Sequence, residues 1–273
     1  MVKFPNAKIN IGLNIINKRL DGFHNIETVF YPIGLSDVLE IVENEQNTTL
    51  TTTGIVTGCS ADDNIVLKAL RLLQKDFTIH ELEIHLHKIT PIGAGLGGGS
   101  SDAAFMLKTI NELYALNLSN DHLAKYARQL GSDCAFFIDN QPVFAFERGD
   151  HFESIALNLN VYHLVLVYPN IHVNTRSAYS GVHPHQPAVS LRQLIQLPIS
   201  DWKHCICNDF EISVFKQFPE IEAVKSKLYD LGAVYAAMSG SGSSVYGIFS
   251  THLTTEILKQ NFGTEYFLWQ GKL

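Results

Sequence analysis

Near the start of the chain Ile9, Ile11, Leu13 and Ile15 alternate with Lys8, Asn10, Gly12 and Asn14. A period of two predicts a half-buried strand, here with a second face that is polar without being simply charged. Asp21-Gly22 in LDGFHNIETVFYP signals a hairpin turn. Residues 37–42 and the threonine-rich 48–53 predict further strands. Ile65, Ala69, Leu72 and Leu73 share one face of a helix predicted over 64–75, with Asp62 or Asp63 as its cap. Leu82, Ile84 and Leu86 alternate as a strand that feeds TPIGAGLGGGSSDAA, residues 90–104. Beyond that stretch Ala103, Met106, Leu107, Ile110 and Leu113 recur at helical spacing, with Ser100 or Ser101 as the natural N-cap and Asp102 in the first turn. Another helix is predicted over 119–130, ending at Gly131.

The second half has a different rhythm. VYHLVLVYP predicts a buried strand closed by Pro169, and helices are predicted over 190–197 and 219–231. AVYAAM and SVYGIF are two strands joined by SGSGS (239–243), followed by a helix over 253–261 and a last strand at YFLW. With the two early helices merged, the order is strand-helix-strand-strand-helix-strand, the ferredoxin-like order. The class is therefore α+β in two domains, with a boundary near 150–160.

Composition narrows the chemistry. The chain of 273 residues is 46% hydrophobic and 17% charged, an ordinary globular balance. A net charge of −7 sets up no positive field for nucleic acid, so an anionic ligand has to be held by local backbone donors. No apolar run reaches membrane-span length, and MVKFPNAKIN carries no signal core, which predicts a cytoplasmic protein without a membrane partner. Cys59, Cys134, Cys205 and Cys207 lack C-x-x-C spacing and read as reduced structural thiols. His85-x-His87 is a metal hint without a third ligand nearby, so a solvated strand face is the better reading and no metal ligand is assigned.

The glycine-rich stretch opens a helix, and a helix start is an anion site because unpaired N–H groups and the positive end of the dipole converge there. A P-loop is excluded, since Gly99 and Ser100 stand where that motif has Lys and Ser or Thr. Gly93-x-Gly95-x-x-Gly98 matches a dinucleotide fingerprint literally, but its feeding strand alternates and no acid closes a second strand about 20 residues on. A plain structural turn is the remaining alternative.

PIGAGLGGGSSDAA resembles the ATP-phosphate loop of the GHMP kinases, the family of galactokinase, homoserine kinase, mevalonate kinase and phosphomevalonate kinase. PNAKINIGL, DGFHNIETVF, DDNIVLKAL, the loop, LGSDCAFFI, NDFE and MSGSGSSVYGIF follow the family's order over nearly the whole chain. The resemblance implies the GHMP kinase fold: a ribosomal-protein-S5-like N-terminal domain over 1–152 and a ferredoxin-like α/β sandwich domain over 153–273, the last strand being free to return to the first. It implies an ATP-dependent phosphotransferase with an alcohol group as acceptor, using ATP as co-substrate with Mg²⁺, acting as a monomer or homodimer. The phosphate cradle would run over Pro91, Ile92, Gly93, Ala94, Gly95, Leu96, Gly97, Gly98, Gly99, Ser100 and Ser101. Ser101 is a candidate for placing Mg²⁺ or else an N-cap, and Asp102 is expected to point away from phosphate. Asn64 and Lys88 match positions around the nucleotide; a helix cap and a solvated lysine are their alternatives.

By the same resemblance Asp133 takes the proton from the acceptor hydroxyl, and Lys8 orients that hydroxyl and offsets growing charge. The acceptor implied is a small molecule linked to cytidine diphosphate. Its base would lie between Phe23 and Tyr179, with His24 on the base edge and Asn10 and Thr175 nearby. The family commonly has tyrosine where Phe23 stands, so stacking survives and a hydroxyl contact is lost. FERGD (146–150) departs from a glycine-richer turn. Another GHMP kinase such as homoserine kinase, a non-catalytic nucleotide-binding protein and a dinucleotide oxidoreductase remain as alternatives.

Overall fold

The computed structural model describes residues 1–58 and 60–273, so Cys59 lies outside the described residues. In chain order the elements are β1 (Val2–Lys3), β2 (Asn6–Lys18), β3 (His24–Ser36), β4 (Val38–Glu43), β5 (Thr49–Gly54), α1 (Ile65–Gln74), β6 (Leu82–Lys88), α2 (Gly98–Leu113), α3 (Asn120–Leu130) and α4 (Phe136–Asp139). They continue with β7 (Val143–Glu147), β8 (His151–Ser154), β9 (His163–Tyr168), α5 (Thr175–Ser180), α6 (Leu191–Leu194), α7 (Ile199–Cys205), α8 (Phe210–Gln217) and α9 (Pro219–Asp230). The last are β10 (Tyr235–Met238), β11 (Val245–Phe249), α10 (Thr255–Asn261) and β12 (Phe267–Lys272). The mixture is the α+β class predicted.

The chain divides into two compact units that interleave in sequence: Met1–Ala7, Leu35–Ile92 and Gly97–Gln141 in one, Lys8–Gly34, Gly93–Leu96 and Pro142–Leu273 in the other. In the first unit a sheet of order β1-β4-β6-β5 is antiparallel except for the parallel pair β5 and β6. Leu39, Ile41, Leu82, Ile84 and Leu86 are buried on it, together with Val66, Leu70 and Leu73 of α1 and Met106, Leu107 and Ile110 of α2. The cap of α1 is Asn64 rather than Asp62 or Asp63: its side-chain oxygen accepts from Val66 N at 2.9 Å. Asp62 instead pairs with exposed Arg71, and Asp63 with Ser60. α2 also begins earlier than expected. Its N-cap is Gly97, at φ 71°, so Ser100 and Ser101 lie inside the first turn. A left-handed N-cap needs glycine, which the serine-based prediction did not weigh.

In the second unit one sheet has the order β2-β3-β7-β8. β2 is buried on both faces, Lys8 and Asn10 at 3% exposure each, and not half-buried as the alternation suggests. The other sheet has the order β10-β11-β9-β12, antiparallel throughout. Counting its strands in chain order gives 2-3-1-4, the ferredoxin-like arrangement read from one edge. β12 therefore stays with the C-terminal half. Val165, Val167, Val214, Ile221, Val224, Met238 and Val245 are among the residues of its core.

Candidate active site

The glycine stretch divides its work between the units. In the second unit a Cβ on Gly95 would lie 1.9 Å from the Ser239 carbonyl oxygen, and one on Gly242 2.2 Å from Gly95 N. Backbone thus meets backbone, leaving no room for a side chain. In the first unit a Cβ on Gly98 would meet the Thr90 side chain at 2.9 Å. At Gly99 the nearest protein atom would be Ile65, 3.9 Å away. The sequence reading assigned all these glycines to ligand approach. The structure assigns Gly95 and Gly98 to internal packing, and Gly99, which is exposed, is the position with open space. Ala94 and Leu96 turn into the core, each 1% exposed, and Pro91 is buried while Ile92 and Gly93 are exposed. The N–H groups at the start of α2 lack intrahelical partners, which makes this turn a donor array.

Beneath that turn Lys88 is neither solvated nor aimed outward. At 4% exposure it ion-pairs with Asp37 and, at 2.7 Å, with Asp102. Asp37 also accepts from Ile89 N at 2.6 Å and Thr90 N at 2.8 Å, tying the strand exit to the same cluster. Lys88 is therefore a buried ion-pair centre, and a direct nucleotide contact from it is withdrawn. Asp102 gives its Oδ2 to this buried ion pair. Burial pushes its carboxyl up to about 7 against the pull of Lys88, because one ammonium is shared between two carboxylates. Lys88 is itself raised: burial works against its charge, and the two carboxylates outweigh it. Ser101 Oγ is buried without a hydrogen-bond partner among the described residues, and no cluster of His, Cys, Asp and Glu there is placed to hold a metal ion. Asp102 Oδ1 is likewise buried without a partner among the described residues, and one hydroxyl with one carboxylate oxygen is no cage for a resident Mg²⁺, which takes its other ligands from water and substrate phosphates.

Lys8, in the second unit, has a different seat. Its Nζ donates to Asn10 Oδ1 at 2.5 Å and to the Gly95 carbonyl at 3.2 Å, and lies 4.6 Å from the Phe30 ring centroid. Asn10 Nδ2 donates to Thr28 Oγ1 at 3.0 Å. With both amide ends engaged and 3% exposure, Asn10 holds Lys8 and is withdrawn as a substrate contact. Asp133 lies between α3 and α4 in the first unit, partly buried, and accepts from Ser132 Oγ at 3.3 Å. Next to it Cys134 is a free, buried thiol that burial pushes up to about 11; Cys205 and Cys207 are free as well.

The model of the GHMP kinases N terminal domain matches residues 64–148, and that of the GHMP kinases C terminal matches 191–266. The chain is a member of the GHMP kinase family. It is 50% identical to the 4-diphosphocytidyl-2-C-methyl-D-erythritol kinase of Bacteroides thetaiotaomicron and 51% identical to that of Parabacteroides distasonis, covering 100% of both chains in each case. A crystal structure of 4-(cytidine 5'-diphospho)-2C-methyl-D-erythritol kinase matches with TM-score 0.81 and 27% identity, over 99% of this chain and 98% of that one. A homoserine kinase from Cytophaga hutchinsonii, at 18% identity and TM-score 0.66 over 98% and 95% of the chains, shares the fold.

In this GHMP kinase the aromatic residues expected to form the clamp are arranged differently from it. Tyr179 is stacked on His24, centroids 4.7 Å apart at 17°, and meets the Phe210 ring edge-on. Phe23, 58% exposed, lies under the Arg148 guanidinium at 5.5 Å. Arg148 is supplied by the β7–β8 turn, where it also pairs with Asp150 at 2.8 Å. Burial, with Lys18 nearby, holds the His24 imidazole below its usual value. Thr175 Oγ1 lies 3.3 Å from Ser241 Oγ. Sequence reasoning missed Asp37, Arg148, Thr28, Asn208 and Ser239. Of these, Thr28, Asn208 and Ser239 lie inside the quoted motifs and Arg148 inside FERGD. The signal for Asp37 was a lone acid at a strand start, which is common.

His85 and His87 do share a strand face, with the Thr53 hydroxyl between them, 2.8 Å from His85 Nε2 and 2.9 Å from His87 Nδ1.

Proposed function

We propose that this GHMP kinase phosphorylates the 2-hydroxyl of 4-diphosphocytidyl-2-C-methyl-D-erythritol from ATP, in the non-mevalonate route to isopentenyl diphosphate. The observation that carries the reading is full-length identity of about one residue in two to kinases of that name, against 18% to a homoserine kinase. ATP lies with its phosphates on the N–H array of Gly97–Ser100, where Gly99 leaves room. Mg²⁺ enters with the nucleotide as part of the substrate. The supply of ATP places the work in the cytoplasm.

In this reading Asp133 accepts the proton of the 2-hydroxyl as its oxygen forms a bond to the γ-phosphorus. The bond from that phosphorus to the β-bridging oxygen breaks, and ADP leaves with the electron pair. Lys8 offsets the charge that grows on the transferring group. Little covalent work falls to the protein in such transfers, so placement and charge dominate. The cytosine ring stacks between Phe23 and Tyr179. Because His24 covers Tyr179, the base has to displace the imidazole, which then reads the base edge.

Offering ATP with the cytidyl alcohol, homoserine and mevalonate in parallel tests the proposal. Phosphorylation of the cytidyl alcohol alone is expected. Turnover of homoserine or mevalonate in its place overturns the substrate assignment, and ATP binding without any turnover favours a non-catalytic nucleotide-binding protein.

A further inference from the structure

We infer that Ser239 is a positioning residue for Lys8. The inference rests on the reading of Lys8 as the group that offsets charge. In the second unit Asn10 Oδ1 and the Gly95 carbonyl accept from Lys8 Nζ. The Ser239 hydroxyl joins those same two residues: it accepts from Asn10 N at 3.1 Å and donates to the Gly95 carbonyl at 2.9 Å. It is fully buried, so water does not compete for either bond.

Ser239 is itself fixed from both sides. Asn208 Nδ2 donates to the carbonyls of Met238 and Gly240, 2.8 Å each, and Glu211 Oε1 accepts from Met238 N at 2.8 Å. Ser239 N donates to the Ser244 carbonyl at 2.8 Å. NDFE, a motif without an assigned task until now, therefore braces the 238–240 turn from which Ser239 reaches the seat of Lys8. Tyr246 closes the arrangement by donating to the Asn10 carbonyl at 2.8 Å. A shared hydroxyl of this kind couples two supports, so its loss loosens both at once.

The test is a double-mutant cycle with Ser239→Ala and Lys8→Met, read by kcat, KM and melting temperature. Ser239→Ala is expected to lower kcat by about tenfold, with KM for ATP within about twofold. In the Lys8→Met background the same change is expected to cost nothing further, because the residue acts through the lysine. Ser239→Cys keeps the shape and weakens the donor, and serves if the alanine variant does not fold; its kcat is expected to lie between wild type and alanine. Wild-type kcat in either folded Ser239 variant, or a full multiplicative loss on top of Lys8→Met, overturns the inference while leaving Lys8 in its role. Undiminished turnover in Lys8→Met removes the role itself, and this inference with it.

Discussion

Two buried lysines, equally hidden at 3% and 4% exposure, have different neighbourhoods: carboxylates at Lys88, and an amide, a carbonyl and a ring at Lys8. Lys88 sits between two carboxylates, so its charge is consumed by the structure. Lys8 is oriented within its unit by an amide oxygen, a carbonyl oxygen and a ring face. The difference teaches how a buried charge can be read. Carboxylates tie an ammonium into the fold, and amide and carbonyl dipoles fix where an ammonium points.

The largest effect expected is on stability. Lys88→Met leaves two buried acids without their ammonium and should cost about 3–5 kcal/mol in denaturant unfolding. Molecules that remain folded should still bind ATP. If Lys88→Met instead melts normally and fails to turn over, the contrast between the two lysines collapses.

Next in size is the converse. Lys8→Met and, separately, Asp133→Asn should each lower kcat at least about 100-fold, some 2.7 kcal/mol. ATP affinity by titration should persist in both. Near-normal turnover in folded Asp133→Asn would retire that residue as proton acceptor.

A smaller effect sharpens the view of the base side. Phe23→Ala should weaken the cytidyl substrate roughly tenfold, within the 1–3 kcal/mol of one stacked base. ATP affinity and melting temperature should hardly change, since the ring is exposed. A core role would give a cost of about 3–5 kcal/mol in stability instead.

The smallest effect concerns pH. Burial raises Asp102 from its ordinary 3.8 to about 7. Between those values the folded chain keeps a proton that the unfolded chain has released. Its contribution is thus fully present below the lower value and lost as pH rises through the upper one. Asp102→Asn removes the titration, so melts at about pH 5 and pH 8 should show the variant gaining on wild type at the higher pH. A gap that does not move with pH would show that folding does not change the protonation of Asp102 across that range.

Much of the fold was legible where periodicity ran long enough. The alternation around Ile9–Ile15, the run at 163–168 and the helix at 219–230 carry their own signal. α5, α7 and α8 were missed, since six to eight residues barely complete two turns. β7 and β8 were hidden by reading FERGD only as a turn. In the site, the positions of Lys8 and the glycine loop were legible, but their surroundings were not. Nothing local to Asn10 announces that its amide serves Lys8 and Thr28, and nothing local to Gly95 announces the Ser239 carbonyl. Such facts are set by residues far off in the chain. His24 on Tyr179 belongs to the same class, as two rings from distant segments meet without any spacing rule.

Distance along the chain has a consequence for when this protein can begin to work. Ser239 lies 229 residues beyond Asn10 and 144 beyond Gly95, and Tyr246 lies 236 beyond Asn10. At the usual pace of synthesis, about 5–20 residues per second, the segment around Lys8 waits on the order of ten seconds or more for its partners. A nascent chain can therefore hold Asp133 and the start of α2 long before Lys8 has its seat, and under the role proposed for Lys8 phosphoryl transfer becomes a signal that β10 and β11 have arrived.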